Sequence, residues 1–484
     1  PLYGLPIPMK GTAAVVDYPS GCGVGVLSGY TPVRDSHLTL LIKERHGLIF
    51  GCTNVPEFAA SWSTRNPASG QTRSVYNHRY TVGGSSGGAA SAVAAYMCAL
   101  AVTEDTGGST RVPALCNQNF GFDPSRNHYN NEGNPGLTPT NDQLGLNARS
   151  VDDIIFYDRC LATPKVLALH DEARRRVLRA PAGRIRVGVP RLPFVDCVLG
   201  PGLQKATSRT LSAEVRHKYE AAREAIKEAG FAVVEEEWRQ SYFDYLGRHE
   251  NTLVEAMYCG RKVNGKAYRT AAALMGVSGG QASQFVALYL DAPVSLKEIV
   301  ADSSRDPSFV LAPGGSPDET AFRHAMGPRT RKDCEVYNSY FDQANVDLIL
   351  LPAAPTATPD LESLARGTVP IARVSGDGSV RTEENGGQSD CFGHMNDLKH
   401  LHIPKMVVPT GLTPDGRPTA VQLWGRAVPY DLMFDDEYSA THDVEFLYLV
   451  QRAAAAIQLD PQLRRVDAPL ATRDLLPGAN ASKI

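Results

Sequence analysis

Hydrophobic and polar positions along the chain alternate between a period typical of helices and one typical of strands. The clearest unit is residues 211–237, where apolar positions recur with helical spacing up to Gly230 and are followed by the strand-like run FAVVEEE. Residues 37–53 repeat this order, with a helix predicted to end near Gly47 and a short apolar strand after it. Such alternation predicts an α/β fold.

The same patterns predict further elements along the chain. The predicted helices cover residues 89–102 and 444–457, and the predicted strands lie within 184–191, 346–359 and 404–427, the last being two strands joined by a turn. Stretches rich in Gly, Ser or Asn at 117–136 and 365–393 are predicted to be long loops. No internal repeat and no clear linker interrupts the 484 residues, which indicates one large domain.

Composition excludes several classes of function. With 49 basic and 52 acidic residues the net charge is −3, so nothing favours nucleic acid as a partner. No run of 18 apolar residues is present, and no membrane span is predicted. The nine cysteines are scattered without a CxxC pair, which favours a reducing compartment, and we expect a cytoplasmic protein. The chain begins at Pro1 without Met, so we expect a missing N-terminal segment.

Metal-ligand spacing is also absent from the sequence. The 12 histidines form no HxxxH pair, and their one HxH pair is His400 and His402 in KHLHIP. His400 and His402 come nearest, but in a strand they would share one face with no third ligand. We therefore expect neither a metal nor a cofactor.

Candidate chemistry lies in two glycine-rich serine loops, GGSSGG at 83–88 and DTGGSTR at 105–111. Neither loop has the lysine of a phosphate-binding P-loop or the spacing of a dinucleotide loop. Tight turns are the simpler alternative, although turns give no reason for serines at both ends of an apolar segment. No histidine accompanies the serines, so a buried lysine held neutral would have to act as the base. Lys10, in the apolar stretch GLPIPMK, is the candidate, and a snorkelling or ion-paired lysine is its alternative.

Taken together, these motifs resemble the amidase signature family of serine hydrolases. The resemblance also includes GLIFGCTNVPEF at 47–58, the strand at 347–359 and the two strands at 407–426, so it spans nearly the whole chain. It implies a single domain over residues 1–484 with a central mixed β-sheet covered by helices on both faces. Within it, residues 200–320 are a less typical insertion that we expect to form a pocket wall.

The resemblance also implies roles for individual residues. Ser109 would be the nucleophile, Ser85 the bridging serine after a cis peptide bond at Gly84, and Lys10 the base. The oxyanion hole would be formed by the backbone N–H groups of four residues, Thr106, Gly107, Gly108 and Ser109. The loop would be braced by Asp105 and Arg111.

Three features depart from the family pattern. Gly11 stands where relatives have Asp after the lysine, Cys52 replaces their lysine before TN, and residues 121–133 differ from their GLKPT-like stretch. All three are expected to line or support the cleft, so a relative's substrate does not transfer to this chain. Several aromatic residues are candidates for an acyl pocket, with ordinary core as the alternative: Trp62, Tyr80, Phe122, Tyr129 and Trp424.

The function expected from these features is hydrolysis of a C–N bond in a small neutral amide, or of a carbamate or ester by the same chemistry, by a monomer or homodimer. The alternative is the glutaminase-type subunit of a tRNA-dependent amidotransferase, which would need partner subunits. A catalytically silent binding protein is a third hypothesis, disfavoured because Ser109, Ser85 and Lys10 are all present.

Overall fold

A computed structural model gives the structure of the chain. It describes residues 2–135, 137, 141–191, 195–196, 209–239, 262–263, 266–267, 285–302, 327, 330–375, 377–396, 398–433 and 435–468. Most of the region predicted as an insertion, 200–320, lies outside the described residues, so its expected role in the pocket wall stays a prediction.

Sixteen strands are described, and eight of them form one sheet. The strands are β1 Pro6–Lys10, β2 Leu48–Thr53, β3 Arg65–Asn66, β4 Gly70–Gln71, β5 Leu100–Asp105, β6 Phe120–Asp123, β7 Gln143–Ala148, β8 Arg186–Gly188, β9 Ala232–Val234, β10 Lys262–Val263, β11 Lys266–Ala267, β12 Leu348–Pro352, β13 Val369–Val374, β14 Val380–Gly386, β15 Lys405–Leu412 and β16 Pro418–Trp424. The large sheet has the order β5-β7-β6-β15-β16-β12-β8-β9. It is mixed, because β12, β8 and β9 pair in parallel while the other neighbours are antiparallel.

The helices of the described residues surround this sheet. They are α1 His37–Glu44, α2 Gly87–Ala94, α3 Arg111–Cys116, α4 Val151–Leu161, α5 Pro164–Arg179, α6 Ala213–Glu228, α7 Leu296–Ala301, α8 Thr330–Ala344, α9 Leu361–Arg366, α10 Gln388–Phe392 and α11 Asp436–Leu459. None of them is both long enough and apolar enough to cross a bilayer.

Successive apolar side chains of the central strands point to opposite faces of the sheet, so the hydrophobic core has a part on each face. On β12, Leu348 and Leu350 pack with helices α4, α5, α6 and α11, while Ile349 and Leu351 pack with α8. Successive strand residues point to opposite faces, so a fully apolar strand such as β12 must be covered on both sides. The expected sheet with helices on both faces is confirmed.

Three predicted segments fold differently from the prediction. The stretch 117–136, predicted as a long loop, contains the buried strand β6 at Phe120–Asp123, whose two phenylalanines lie two residues apart as in a strand. The run 89–102, predicted as one helix, ends its helix at Ala94, turns, and continues as the strand β5 from Leu100. Short apolar runs do not distinguish a buried helix from a buried strand, and the small residues here suit both. The stretch 365–393, predicted as a long loop, contains the hairpin β13–β14 and the short helix α10, and Ser375, Gly378 and Ser379 lie in the turn between the strands.

The histidines of the KHLHIP stretch are not in a strand. Residues Lys399–Leu401 form a 3₁₀ turn, His400 pairs with Asp333 at 2.9 Å, and a ring nitrogen of His402 lies 2.9 Å from Arg126. Within the described ranges, no group of three or more His, Cys, Asp or Glu side chains is arranged to hold a metal ion.

A buried network ties the unusual 121–133 stretch to the helices. The imidazole of His128 lies between two carboxylates, 2.6 Å from Asp158 of α4 and 3.0 Å from Asp443 of α11. Asp158 also contacts His170 of α5 at 3.0 Å and accepts from the Tyr129 hydroxyl at 2.7 Å. Burial alone would lower the pKa of His128, but the two carboxylates outweigh it and raise that pKa to about 10.

This pKa predicts how stability depends on pH. Because the folded-state pKa of His128 lies above its ordinary value of 6.5, its contribution is complete below pH 6.5 and is lost as the pH rises to about 10. We expect His128→Gln to lower the free energy of unfolding at pH 6, with the gap to the wild type shrinking by pH 10. Urea denaturation followed by circular dichroism across this range measures the gap, and a gap that stays constant with pH would contradict the assignment.

Candidate functional site

Lys10 is carried into the protein interior by an apolar strand. β1 pairs in parallel with β2, with Lys10 opposite Thr53, and the Lys10 side chain is 1% exposed. Strands β1 and β2 lie so close together at the next residue that a Cβ on Gly11 would be 2.4 Å from the Thr53 carbonyl oxygen. A side chain at position 11 is therefore excluded, which accounts for the glycine found where the family pattern has Asp.

The Lys10 amine contacts three oxygen acceptors. Its Nζ donates to Ser85 Oγ at 2.8 Å and to the Glu104 carbonyl oxygen at 3.2 Å, and it lies 3.2 Å from Glu104 Oε2. Three acceptors match the three N–H donors of an ammonium group. Glu104 was not singled out from the sequence, although a glutamate that closely follows an apolar run is a signal for a buried ion pair.

The loop that carries Ser85 is closely packed. The Gly84–Ser85 peptide bond is cis, as the resemblance implies. A Cβ on Gly84 would lie 2.7 Å from the Ser61 carbonyl oxygen, so the 61–63 segment leaves room for glycine alone. Ser86 follows as the cap of α2, and its N–H donates to the carbonyl oxygen of Ser109 at 3.2 Å. This bond places the two serine loops side by side, which the sequence did not show.

The second serine loop is organised around Asp105. Its carboxylate accepts from the N–H groups of Gly108 at 2.7 Å and Thr110 at 2.9 Å, and pairs with the Arg111 guanidinium at 3.1 Å. All of these groups are buried. Burial would raise the pKa of Asp105, but Arg111 and Lys399 hold it well below its ordinary value. The carboxylate therefore acts as a fixed anionic centre for the loop.

The backbone of this loop bears on the predicted oxyanion hole. The Gly108 N–H is already bonded to Asp105, whereas those of Gly107 and Ser109 have no hydrogen-bond partner among the described residues. Gly108 has a φ of +111°, and a Cβ there would also lie 2.9 Å from Met395 Cβ, so glycine is required. On the outer side, the Trp62 indole N–H donates to the Gly107 carbonyl oxygen at 3.0 Å and orients that peptide.

Three further buried ionisable residues lie near Arg111 of the second loop. Asp123 Oδ2 lies 3.2 Å from Arg111 and its Oδ1 pairs with Lys399. Lys405, opposite Asp123 on β15, is fully buried over the Trp424 ring at 4.7 Å. Burial and the neighbouring Arg111 lower the pKa of Lys405 well below its ordinary value, which favours its uncharged amine. None of Asp123, Lys399 and Lys405 was identified from the sequence.

Two thiols lie near Lys10, and one of them, Cys52, stands where the family pattern has a lysine. Cys52 lies 3.3 Å from the Ser20 hydroxyl, and burial raises the pKa of its thiol to about 11. Burial, followed by Glu104, also raises the pKa of the Cys22 thiol. Both thiols are therefore neutral at physiological pH. The seven described cysteines are all free.

A cleft of about 870 Å³ adjoins the 61–63 segment that packs on Gly84. Its lining includes Ser61, Ser63, Arg65, Gln71, Arg73 and Gln388. Gln388 fixes the segment, because its Oε1 accepts from both the Ser61 hydroxyl and the Trp62 N–H at 3.1 Å.

The structure brings together the residues that the sequence singled out. Lys10 and Ser85 share a hydrogen bond, the Ser85 and Ser109 loops are joined through Ser86, and Asp105 binds Arg111. Of the aromatic candidates, Trp62 contacts the second loop, while three are ordinary core residues and are less than 5% exposed: Phe122, Tyr129 and Trp424.

Known proteins resemble this chain both in sequence and in fold. A sequence model of the family described as Amidase matches residues 1–429. One subunit of the glutamyl-tRNA(Gln) amidotransferase from Mycobacterium ulcerans is 38% identical over 161 residues, which are 33% of this chain and 33% of the relative. The matched part thus spans about a third of that relative's length.

Solved structures show the same fold. The peptide amidase from Stenotrophomonas maltophilia superposes with a TM-score of 0.67 at 19% identity, covering 97% of this chain and 85% of that one. A 6-aminohexanoate cyclic dimer hydrolase gives 0.64 at 18% identity, covering 97% and 87%. At such identities the likeness shows the fold alone.

The buried Asp105–Arg111 pair leads to a prediction on stability. Asp105→Asn would leave the buried Arg111 and Lys399 without their carboxylate, and we expect a loss of about 3–5 kcal/mol in the free energy of unfolding at pH 7. Because the folded-state pKa of Asp105 is depressed, its contribution is present above pH 3.8 and is lost as the pH falls below that value. Urea denaturation at pH 7 and pH 3 measures both effects.

The matched control for this variant is Asp171→Asn, which breaks an exposed pair with Arg159. We expect that change to cost less than about 1 kcal/mol. Equal losses for the two variants would show that Asp105 does not organise the loop.

Proposed function

The chain belongs to the amidase family, and on that premise we propose that it hydrolyses the C–N bond of a small neutral amide through an acyl-enzyme on Ser109. Carbamates and esters present the same carbonyl to the nucleophile, so we expect them as further substrates. The protein acts without a cofactor in this proposal.

One observation carries the proposal. Lys10 Nζ donates to Ser85 Oγ at 2.8 Å across 75 residues of sequence, in a site where both side chains are buried. A hydrogen-bonded lysine and serine beside a second serine loop is an arrangement that can move a proton without histidine. Support also comes from the Ser86–Ser109 backbone bond, which holds the two loops in contact.

The reaction follows from these contacts. Lys10, once it has lost a proton, accepts the Ser85 hydroxyl proton as Ser85 takes the proton of Ser109. The deprotonated Ser109 Oγ attacks the amide carbon, and the tetrahedral intermediate collapses as the leaving amine is protonated back through Ser85. Water then attacks the acyl-enzyme and gives its proton through Ser85 to Lys10. The proton returns to Ser109 Oγ as the acid is released, which regenerates the enzyme.

Stabilisation of the intermediate is assigned to the second loop. The N–H groups of Gly107 and Ser109 have no other partner among the described residues, and Thr106 adjoins them. The Gly108 N–H serves Asp105 instead, so in this proposal it holds the loop rather than the substrate oxygen. Each donor to the oxyanion is worth on the order of 100-fold in rate.

A second candidate function is the glutaminase-type subunit of a tRNA-dependent amidotransferase. It is favoured by the 38% identity with the amidotransferase chain from Mycobacterium ulcerans. Co-purification of two other chains with the native protein would support this role. Hydrolysis of simple anilides and aliphatic amides by the isolated chain would oppose it.

The nucleophile is tested by Ser109→Ala. We expect this change to abolish turnover of a panel of anilides, aliphatic amides and carbamates, because the covalent step is lost. A fluorophosphonate probe should label Ser109, located by peptide mass spectrometry. Ser91→Ala on α2, which removes a hydroxyl without touching the proposed relay, should keep wild-type activity and labelling. Labelling of another residue, or full activity in Ser109→Ala, contradicts the proposal.

The base is tested by the pH dependence of the rate. We expect kcat/KM to rise from pH 6 toward alkaline pH as Lys10 loses its proton. Lys10→Met, which keeps the side-chain length, should be inactive at every pH. A rate that falls steadily above pH 7 in the wild type would exclude Lys10 as the base.

A further inference from the structure

The base of the proposed mechanism has an anionic neighbour. The Lys10 amine lies 3.2 Å from Glu104 Oε2, and the two side chains are 1% and 2% exposed. The Thr12 hydroxyl donates to the same carboxylate oxygen at 3.0 Å. Two donors on one oxygen hold the carboxylate in place, and the carboxylate in turn orients the Lys10 amine, whose third contact is Ser85.

The other groups around this pair carry no charge at neutral pH. Cys52 on β2 and Cys22 in the neighbouring loop are neutral thiols, because burial raises the pKa of each. The hydroxyl of Ser86 faces the Glu104 backbone rather than its carboxylate. Asp105, the next residue of β5, is turned to the opposite side and pairs with Arg111. Among the described residues, Glu104 is thus the charged partner of Lys10.

We propose that Glu104 is a positioning residue that aims Lys10 at Ser85 and sets the pH at which Lys10 becomes an unprotonated base. The inference rests on the proposed function and adds a residue to it. An anion at this distance in a dry site favours the ammonium form of a lysine. The hydrolase therefore becomes active at a more alkaline pH than the same Ser-Ser-Lys arrangement would with a neutral residue at position 104.

Glu104→Gln separates the charge from the packing, because it keeps the size of the side chain and one oxygen acceptor. We expect the acidic limb of the kcat/KM profile to move to lower pH by roughly one to three units. Thr12→Val is the matched control, since it removes the other hydrogen bond to Glu104 and leaves the charge. Thr12→Val should move the acidic limb of the kcat/KM profile by less than Glu104→Gln does. A role of Glu104 in stability alone would change the height of the profile and leave its midpoint in place.

A direct titration of Lys10 makes the test independent of turnover. With ¹³C-labelled lysine, the Lys10 resonance is assigned by its loss in Lys10→Met and followed by NMR from pH 6 to 11. We expect its titration midpoint to fall in Glu104→Gln by the same amount as the kinetic limb. An unchanged or higher midpoint would overturn the inference. A lowered midpoint in a chain that hydrolyses none of the amides would instead overturn the proposed function.

A second variant covers the case in which Glu104→Gln does not fold. Glu104→Asp keeps the charge but withdraws it by one methylene from Lys10. We expect the Lys10 midpoint to move in the same direction by a smaller amount. A midpoint that rises in Glu104→Asp would contradict the inference.

Discussion

The need to solvate one buried amine organises the centre of this protein. Lys10 lies at the end of an apolar strand where water is excluded, so its N–H groups must find acceptors within the chain. Those acceptors come from Ser85 and from the backbone and side chain of Glu104, 75 and 94 residues downstream. By binding both, the lysine fixes the first serine loop against β5 and so against the loop that carries Ser109.

Strand β5 separates two buried electrostatic environments. Its successive residues Glu104 and Asp105 point to opposite sides, one to Lys10 and the other to Arg111. The first environment holds the proposed proton relay, and the second holds the Ser109 loop, whose backbone N–H groups are the proposed oxyanion hole. The alternation of a single strand thus lets two carboxylates serve different purposes although they are neighbours in sequence.

The sequence predicted the class of fold from local patterns, whereas the roles of the site residues followed from the family resemblance and stay predictions. The helix ending before Gly230, the paired strands around the TPDGRP turn and the loop GGSSGG each follow from short-range chemistry. The helix at 89–102 was predicted too long since Ala-rich runs suit both a helix and a buried strand. The hairpin at 365–393 was not predicted because its turn has the Gly and Ser residues of a loop and β14 is largely polar and exposed, without alternating apolar positions.

Buried ionisable residues outside the motifs were missed for a different reason. Asp123 and Lys405 meet only through the pairing of β6 with β15, and Lys399 reaches Asp123 from the 3₁₀ turn before β15. Glu104 was adjacent to a recognised motif, yet its partner lies 94 residues away. Gly11 and Cys52 remove one anion and one cation from the family pattern, and the structure fills these positions with a backbone contact and a neutral thiol. Among the residues that the structure describes, Glu104 is then the one carboxylate partner of Lys10, which is why the proposed control of the base rests on residue 104.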